Sequence, residues 1–187
     1  MRKANKEITD QAVLNEILNT CTVGRLGTIA RDGSPMVKPL NFVFHDNAIY
    51  FHSARAGEKI DDIMRDNRVC FEMELSIAFL KGTLEDPCKA EYLYRSIIIR
   101  GRALQIEDRV ERIAALTALM HKYQPSGGYG DFLEEKLSIT AVVRIDIEEM
   151  VGKENLGKDR TREAVISALH SGARLPIVLM DPTGSKG

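Results

Sequence analysis

The sequence contains no tryptophan, and its aromatic residues make up only 6% of the chain. Cysteine is also scarce. Cys21, Cys70 and Cys88 are scattered, and no Cys-x-x-Cys pair occurs. An odd count cannot close a disulfide framework, so free thiols are expected. No spacing of cysteine or histidine supports a metal site, because His45, His121 and His170 have no ligand partner nearby in sequence. An excess of one charge is missing too: 26 basic residues stand against 27 acidic ones, for a formal net charge of -1. No global basic field would draw the chain to nucleic acid or anionic lipid. No apolar run is long enough to span a bilayer. The opening residues 1–7 have no apolar run after their basic side chains, which is not a secretory pattern, and a cytoplasmic protein is expected. Finally, Gly-x-Gly-x-x-Gly, the Walker phosphate loop, Gly-x-Ser-x-Gly and His-Glu-x-x-His are all absent, which leaves kinase, hydrolase and zinc-peptidase readings without a motif.

What is present is ordinary for a soluble domain. The chain has 187 residues, 44% hydrophobic and 28% charged, enough for one substantial core. Thr9 is a plausible cap for a helix to about Asn19, with Val13, Leu14, Ile17 and Leu18 on one face. Strand-like segments then follow over Thr22–Ala30, Met36–Phe44 and Ala48–Ser53. Turn signals separate them at Arg31–Ser34 and His45–Asn47, so an antiparallel meander is expected. Gly57 to about Asp66 reads as a helix with Ile60, Ile63 and Met64 as its buried stripe. Further strands are expected over Arg68–Leu75, Tyr92–Ile106 and Ile139–Ile147. A helix capped by Glu107 or Asp108 should reach about Tyr123, and a glycine-rich loop should follow to Gly130. Such a series closes most readily into a small six-stranded antiparallel barrel with peripheral helices, since closure removes exposed edges. Composition changes near residue 150, dividing the chain into a domain over 1–150 and an extension over 151–187. The extension is expected to hold a short helix from Thr161, an edge strand over Leu175–Leu179 and a frayed tail from Asp181.

Polar chemistry concentrates where the third strand ends: Phe51-His52-Ser53-Ala54-Arg55-Ala56-Gly57-Glu58-Lys59. A helix opening after Gly57 presents free N–H groups, and Lys59 and the Ser53 hydroxyl beside them make an anion site. Alone, Lys59 reads equally well as a solvated lysine, and His52 as a packed histidine at a strand end. A second cluster is Lys38-Pro39-Leu40-Asn41, where a proline inside a strand marks an edge, a bulge or a ligand-facing position. A third is Arg95-Ser96, at the start of an apolar strand, and for both clusters the competing reading is ordinary barrel exterior.

The order meander, Phe-His-Ser-Ala-x-x-Gly-x-Lys, helix, Val-Cys-Phe-Glu, then Arg-Ser-Ile-Ile-Ile-Arg-Gly-Arg-Ala resembles the FMN-binding split-barrel proteins related to pyridoxamine 5'-phosphate oxidase. Within them it is most similar to the nitroimidazole-resistance branch, over roughly Ile8 to Lys153. The resemblance implies a Greek-key split barrel and FMN as cofactor. It places Lys38, Pro39, Leu40 and Asn41 along the flavin, His52, Ser53 and Lys59 at its phosphate, and Arg95 and Ser96 on a later flavin-facing strand. At Ser96 the family's glutamine is replaced by a shorter side chain. His52 matches a histidine beside the substrate pocket and is the candidate catalytic residue. The resemblance further implies a homodimer with cofactor sites at the interface and a small-molecule electrophile, such as a nitroaromatic, as substrate. The oxidase's arginine- and tryptophan-bearing C-terminal signature is missing after Val143, which argues against pyridoxamine oxidation. A non-catalytic flavin- or haem-binding protein, with His52 or His45 as haem ligand, and a structural barrel with a vestigial pocket are the rival readings.

Overall fold

The computed structural model describes residues 6–171 and 178–179. The first helix, α1 (Gln11–Thr20), follows a two-residue strand β1 (Glu7–Ile8). Its cap is Asp10, not Thr9: the Asp10 carboxylate accepts from the Ala12 N–H at 2.8 Å, satisfying an otherwise orphaned donor of the first turn. Leu14, Ile17 and Leu18 form its buried stripe, with Val13 partly buried beside them.

Strands β2 (Gly24–Ile29) and β3 (Pro35–Leu40) form a hairpin whose turn is held by Asp32, which accepts from both the N–H and the hydroxyl of Ser34. Strands β4 (Val43–His45) and β5 (Ala48–Ala54) form a second hairpin. Its two turn residues, Asp46 and Asn47, both have positive φ (45° and 59°). That is the primed geometry that matches strand twist, and these residue types tolerate it.

The expected continuous strand over Met36–Phe44 is therefore two strands, and the expected three-strand meander is two separate hairpins. Asn41 and Phe42 interrupt the run, and β3 and β4 do not pair with each other. Instead, hydrogen-bonded neighbours run in the order β3-β2-β6-β7-β8-β5-β4 through β6 (Arg68–Leu80), β7 (Glu91–Ile106) and β8 (Thr140–Asn155). The two ends of this row are β3 and β4, which are consecutive in the chain and only two residues apart. The sheet must curl until its edges nearly meet, so covalent continuity closes what hydrogen bonds leave open. The result is a mainly β split barrel with peripheral helices. It has more strands than the expected six, because one expected strand is divided and β1 and β9 (Val178–Leu179) add short pairings with β8 and β6.

The interior is filled by alternate residues of these strands, joined by Phe42 from the link between β3 and β4. Leu26, Phe42, Ile49, Phe51, Phe71, Met73, Ile97, Ile99, Val143 and Ile145 are buried in one cluster, each such side chain contributing about 1.5–3 kcal/mol by its removal from water. Gly24 permits the close approach of the Phe71 ring, whose nearest atom would lie 2.0 Å from a Cβ placed there.

Three further helices cover the exterior. Capped by Asp108, α3 (Arg109–Tyr123) buries Ala115, Leu116 and Leu119 against Val43, Ala48, Tyr50 and Val142. A six-residue helix absent from the sequence reading, α4 (Glu134–Ile139), adds Leu137 to that cluster. In the chain's last described helix, α5 (Asp159–His170), Val165 packs with Ala78, Leu93 and Leu156. Strand β8 continues without a break past residue 150 to Asn155. The expected edge strand over Leu175–Leu179 is described only at Val178–Leu179, and the tail from Asp181 lies outside the described residues. Among the described residues no helix is long and apolar enough to cross a membrane, and no cluster of three metal-ligating side chains occurs. Cys21 is buried, while Cys70 and Cys88 are exposed, all three as free thiols.

Candidate functional site

The site begins where β4 ends. Pairing between β4 and β5 stops at Val43 opposite Tyr50, whereas β5 continues along β8 to Ala54. Residues 51–54 are thus hydrogen-bonded to β8 on one side and open on the other, at the break between β3 and β4. Phe51 points inward and is fully buried, His52 is exposed, and Ser53 is half-buried. The chain then turns through Gly57, whose φ of 121° lies in a region closed to most side chains, and enters helix α2 (Glu58–Arg65).

Helix α2 lies across β2 through an acidic residue. Asp62 is 2% exposed. It accepts from the Thr28 hydroxyl at 3.0 Å and from Arg65 Nη2 at 3.0 Å, and Lys38 Nζ stands 3.7 Å away. Arg65 also donates to the Ile29 carbonyl, so the helix is tied to β2 twice. Burial pushes the Asp62 carboxyl up, but hydrogen bonds from Arg65 and Thr28 and the charge of Lys38 outweigh it, and its pKa is lowered on balance. Asp62 takes the place expected for Met64 in the buried stripe: Ile60, Asp62 and Ile63 are buried, and Met64 is exposed.

Three basic groups meet at this corner. Lys38, on β3, places Nζ 3.0 Å from Glu58 Oε2. Lys59, the second residue of α2, holds its ammonium 5.4 Å from the centroid of the Phe51 ring. Burial, reinforced by the charge of Lys38, holds the Lys59 pKa below the ordinary lysine value. Partial desolvation, reinforced by the charge of Lys59, lowers the His52 pKa in turn. The charge of Lys38 thus acts on Lys59, and that of Lys59 on the His52 imidazole. Such a cluster is stabilised by an anion, and Ser53 follows His52 directly on β5.

The other expected site residues divide. Leu40 packs against the barrel core, and Pro39 and Asn41 are exposed. Pro39 is accommodated because β3 is an edge strand, paired through Arg25 of β2 on one side only. Within one chain, Arg95 and Ser96 are not brought to this corner. Arg95 pairs in register with Glu154, twelve residues along β8 from Val142, the partner of His52. Arg95 is buried and braced, with Nη1 3.1 Å from Glu16 and Nε 3.2 Å from Glu154. Ser96 is half-buried beside it.

Glu58 and Asp62 were not singled out in the sequence, although both contact Lys38. The available signal was their spacing: positions i and i+4 of a helix share a face, so two acids there point at one neighbour.

Comparison with known proteins places the chain in a family. The family model described as pyridoxamine 5'-phosphate oxidase matches residues 10–154, and the chain belongs to that family. A solved structure from Bacteroides thetaiotaomicron, provisionally named as a 5-nitroimidazole antibiotic resistance protein, is 25% identical, with 79% of this chain and 86% of that chain covered at a TM-score of 0.69. The flavocytochrome Anf3 of Azotobacter vinelandii shares the fold at 20% identity, 88% and 77% coverage and a TM-score of 0.74. So does an FAD- and heme-binding protein of Mycobacterium smegmatis, at 16% identity, 87% and 80% coverage and a TM-score of 0.74. No curated protein matches the sequence.

Proposed function

We propose that the chain is a flavoprotein that binds FMN at the open end of β5 and reduces a small electrophile such as a nitroaromatic. The observation that carries this reading is the convergence of Lys38, Lys59 and His52 beside the start of α2, with Ser53 next to His52 on β5. In this reading Lys59 and Ser53 hold the phosphate, and Lys38 neutralises its second charge. Pro39, Leu40 and Asn41 line the flavin along the free edge of β3. When bound, FMN would supply the redox chemistry. His52, neutral at physiological pH because its pKa is lowered, hydrogen-bonds the electrophile and orients it. The family membership and the likeness to a nitroimidazole-resistance protein support this reading.

The site is shared between two copies of the chain. The outer face of β3, β2, β6 and β7 carries exposed Ile98 and a cleft of about 570 Å³ lined in part by Val37 and Cys70, and a second copy would cover it. Arg95 and Ser96, remote from this corner within one chain, would reach a flavin site only through such a pairing.

The test is an absorbance spectrum of the purified protein, followed by titration with FMN. A flavin spectrum that is lost in Lys59→Ala supports the reading. Colourless protein that cannot be reconstituted with FMN overturns it. The exposed, neutral imidazole of His52 favours one second reading, a haem protein. A Soret band on haem addition that disappears in His52→Ala would replace the first reading with it.

A further inference from the structure

The Lys38 ammonium is withdrawn from solvent and carries no aligned hydrogen bond, although two carboxylates flank it. Glu58 Oε2 is 3.0 Å away and Asp62 Oδ2 is 3.7 Å away. Charge is thus compensated, but the N–H groups lack well-directed acceptors. The two acids are not equivalent. Asp62 is 3% exposed in its side chain and pinned by Thr28 and Arg65. Glu58 is 57% exposed, with no other ion pair among the described residues, and as the first residue of α2 it has solvent to swing into. Only Glu58 can yield its place.

We propose that Glu58 is a built-in competitor for the anion site, its carboxylate covering Lys38 until a ligand phosphate displaces it. The inference rests on reading this corner as the phosphate end of a flavin site. A phosphate dianion offers several tetrahedral acceptors, whereas the Glu58 carboxylate contributes charge without alignment. Exchange therefore favours the phosphate but costs the existing ion pair and places two anions close together. Loss of the Glu58 charge removes both costs. The affinity of the site for phosphate-bearing ligands is thereby held down, so that the flavin exchanges with solution and is not locked in.

The test compares wild type, Glu58→Gln and Glu58→Ala with three probes: FMN, riboflavin and inorganic phosphate. Flavin affinities are read by fluorescence quenching and phosphate binding by the rise in apparent thermal stability. Both variants should bind FMN about three- to tenfold more tightly, as expected for removing one partly exposed charge contact, and phosphate more tightly as well. Riboflavin, which has no phosphate, should bind all three proteins alike. FMN affinity that is equal or weaker in the variants overturns the inference and leaves the flavin reading standing. Phosphate binding strengthened in the variants, with no FMN binding by any protein, overturns the flavin reading and keeps the competitor. Failure of all three proteins to bind either FMN or phosphate overturns both.

Discussion

The hydroxyl of Tyr123, near the end of α3, accepts a hydrogen bond from the backbone N–H of Phe42 at 3.0 Å and lies 2.7 Å from the carbonyl of Thr22, to which it can donate. It reaches the break between β3 and β4 from α3. Phe42 has lost its strand partners there, and one side chain from residue 123 replaces a ladder bond. The burial that raises the Tyr123 pKa keeps the phenol protonated, and so able to donate as well as accept.

Tyr123→Phe leaves the Phe42 N–H without its acceptor in a partly buried position. The expected cost is about 1–3 kcal/mol, the usual penalty for an orphaned buried donor. Urea unfolding should show a lower midpoint with an unchanged slope, since the same surface is exposed on unfolding. An unchanged midpoint would show that water satisfies this N–H and that Tyr123 does not hold the break.

That break is also where sequence reasoning reached its limit. Leu40, Phe42 and Phe44 keep a period of two across Asn41, so local pattern cannot show that the pairing partner changes from β2 to β5. Pro39 gave the one hint, because a proline inside a strand points to an edge. Elsewhere the local chemistry was sufficient. The Asp46–Asn47 turn, the Gly57 helix start and the α1 stripe all follow from residue type and spacing. What spacing could not reveal was long-range polar pairing. Strand β8 was expected to stop at Ile147, before Glu148 and Glu149. Those residues continue the strand on its outer face, where they pair with Arg102 and Arg100 of β7. Asp62 and Arg95 are buried for the same reason, since partners distant in sequence compensate their charge. The candidate site was legible as far as Lys59, Ser53 and His52, and the meeting of Lys38 with α2 follows only from the fold.

The coupling of Lys59 to His52 predicts a titration. His52 is lowered first by desolvation and second by the charge of Lys59. Lys59→Met removes only the second cause, so the His52 pKa should rise towards its ordinary value, as followed by the imidazole proton resonances in NMR. The sign for stability follows from linkage. With the folded pKa below the unfolded one, the unfolded state binds the extra proton between the two values, and stability falls as pH drops through that window. Below the folded pKa the effect is complete and does not grow. In Lys59→Met the window narrows, and the acid-side loss of stability should shrink with it. An unchanged His52 pKa would separate the two residues and remove the electrostatic basis for a joint anion site.

Arg95 provides a contrast, because its burial is explained by structure alone. Its guanidinium joins Glu16 of α1 to Glu154 of β8, and Glu154 also meets Arg162 of α5 at 2.7 Å. Arg95→Met keeps the apolar stem and removes the charge, leaving Glu154 with Arg162 as its one remaining ion-pair partner among the described residues. Breaking a fully buried pair costs about 3–5 kcal/mol, and the residual Arg162 contact and the half-exposed Glu16 should reduce this to about 2 kcal/mol. Because α1 and α5 share the network, both should loosen together, which amide hydrogen exchange can read as faster exchange in the two helices. Glu16→Gln, which leaves the Glu154 contact intact, should cost less than half as much. An Arg95→Met variant as stable as wild type would show that the residue is not a brace. Its burial at the far end of β7 would then call for a ligand contact from a second copy of the chain.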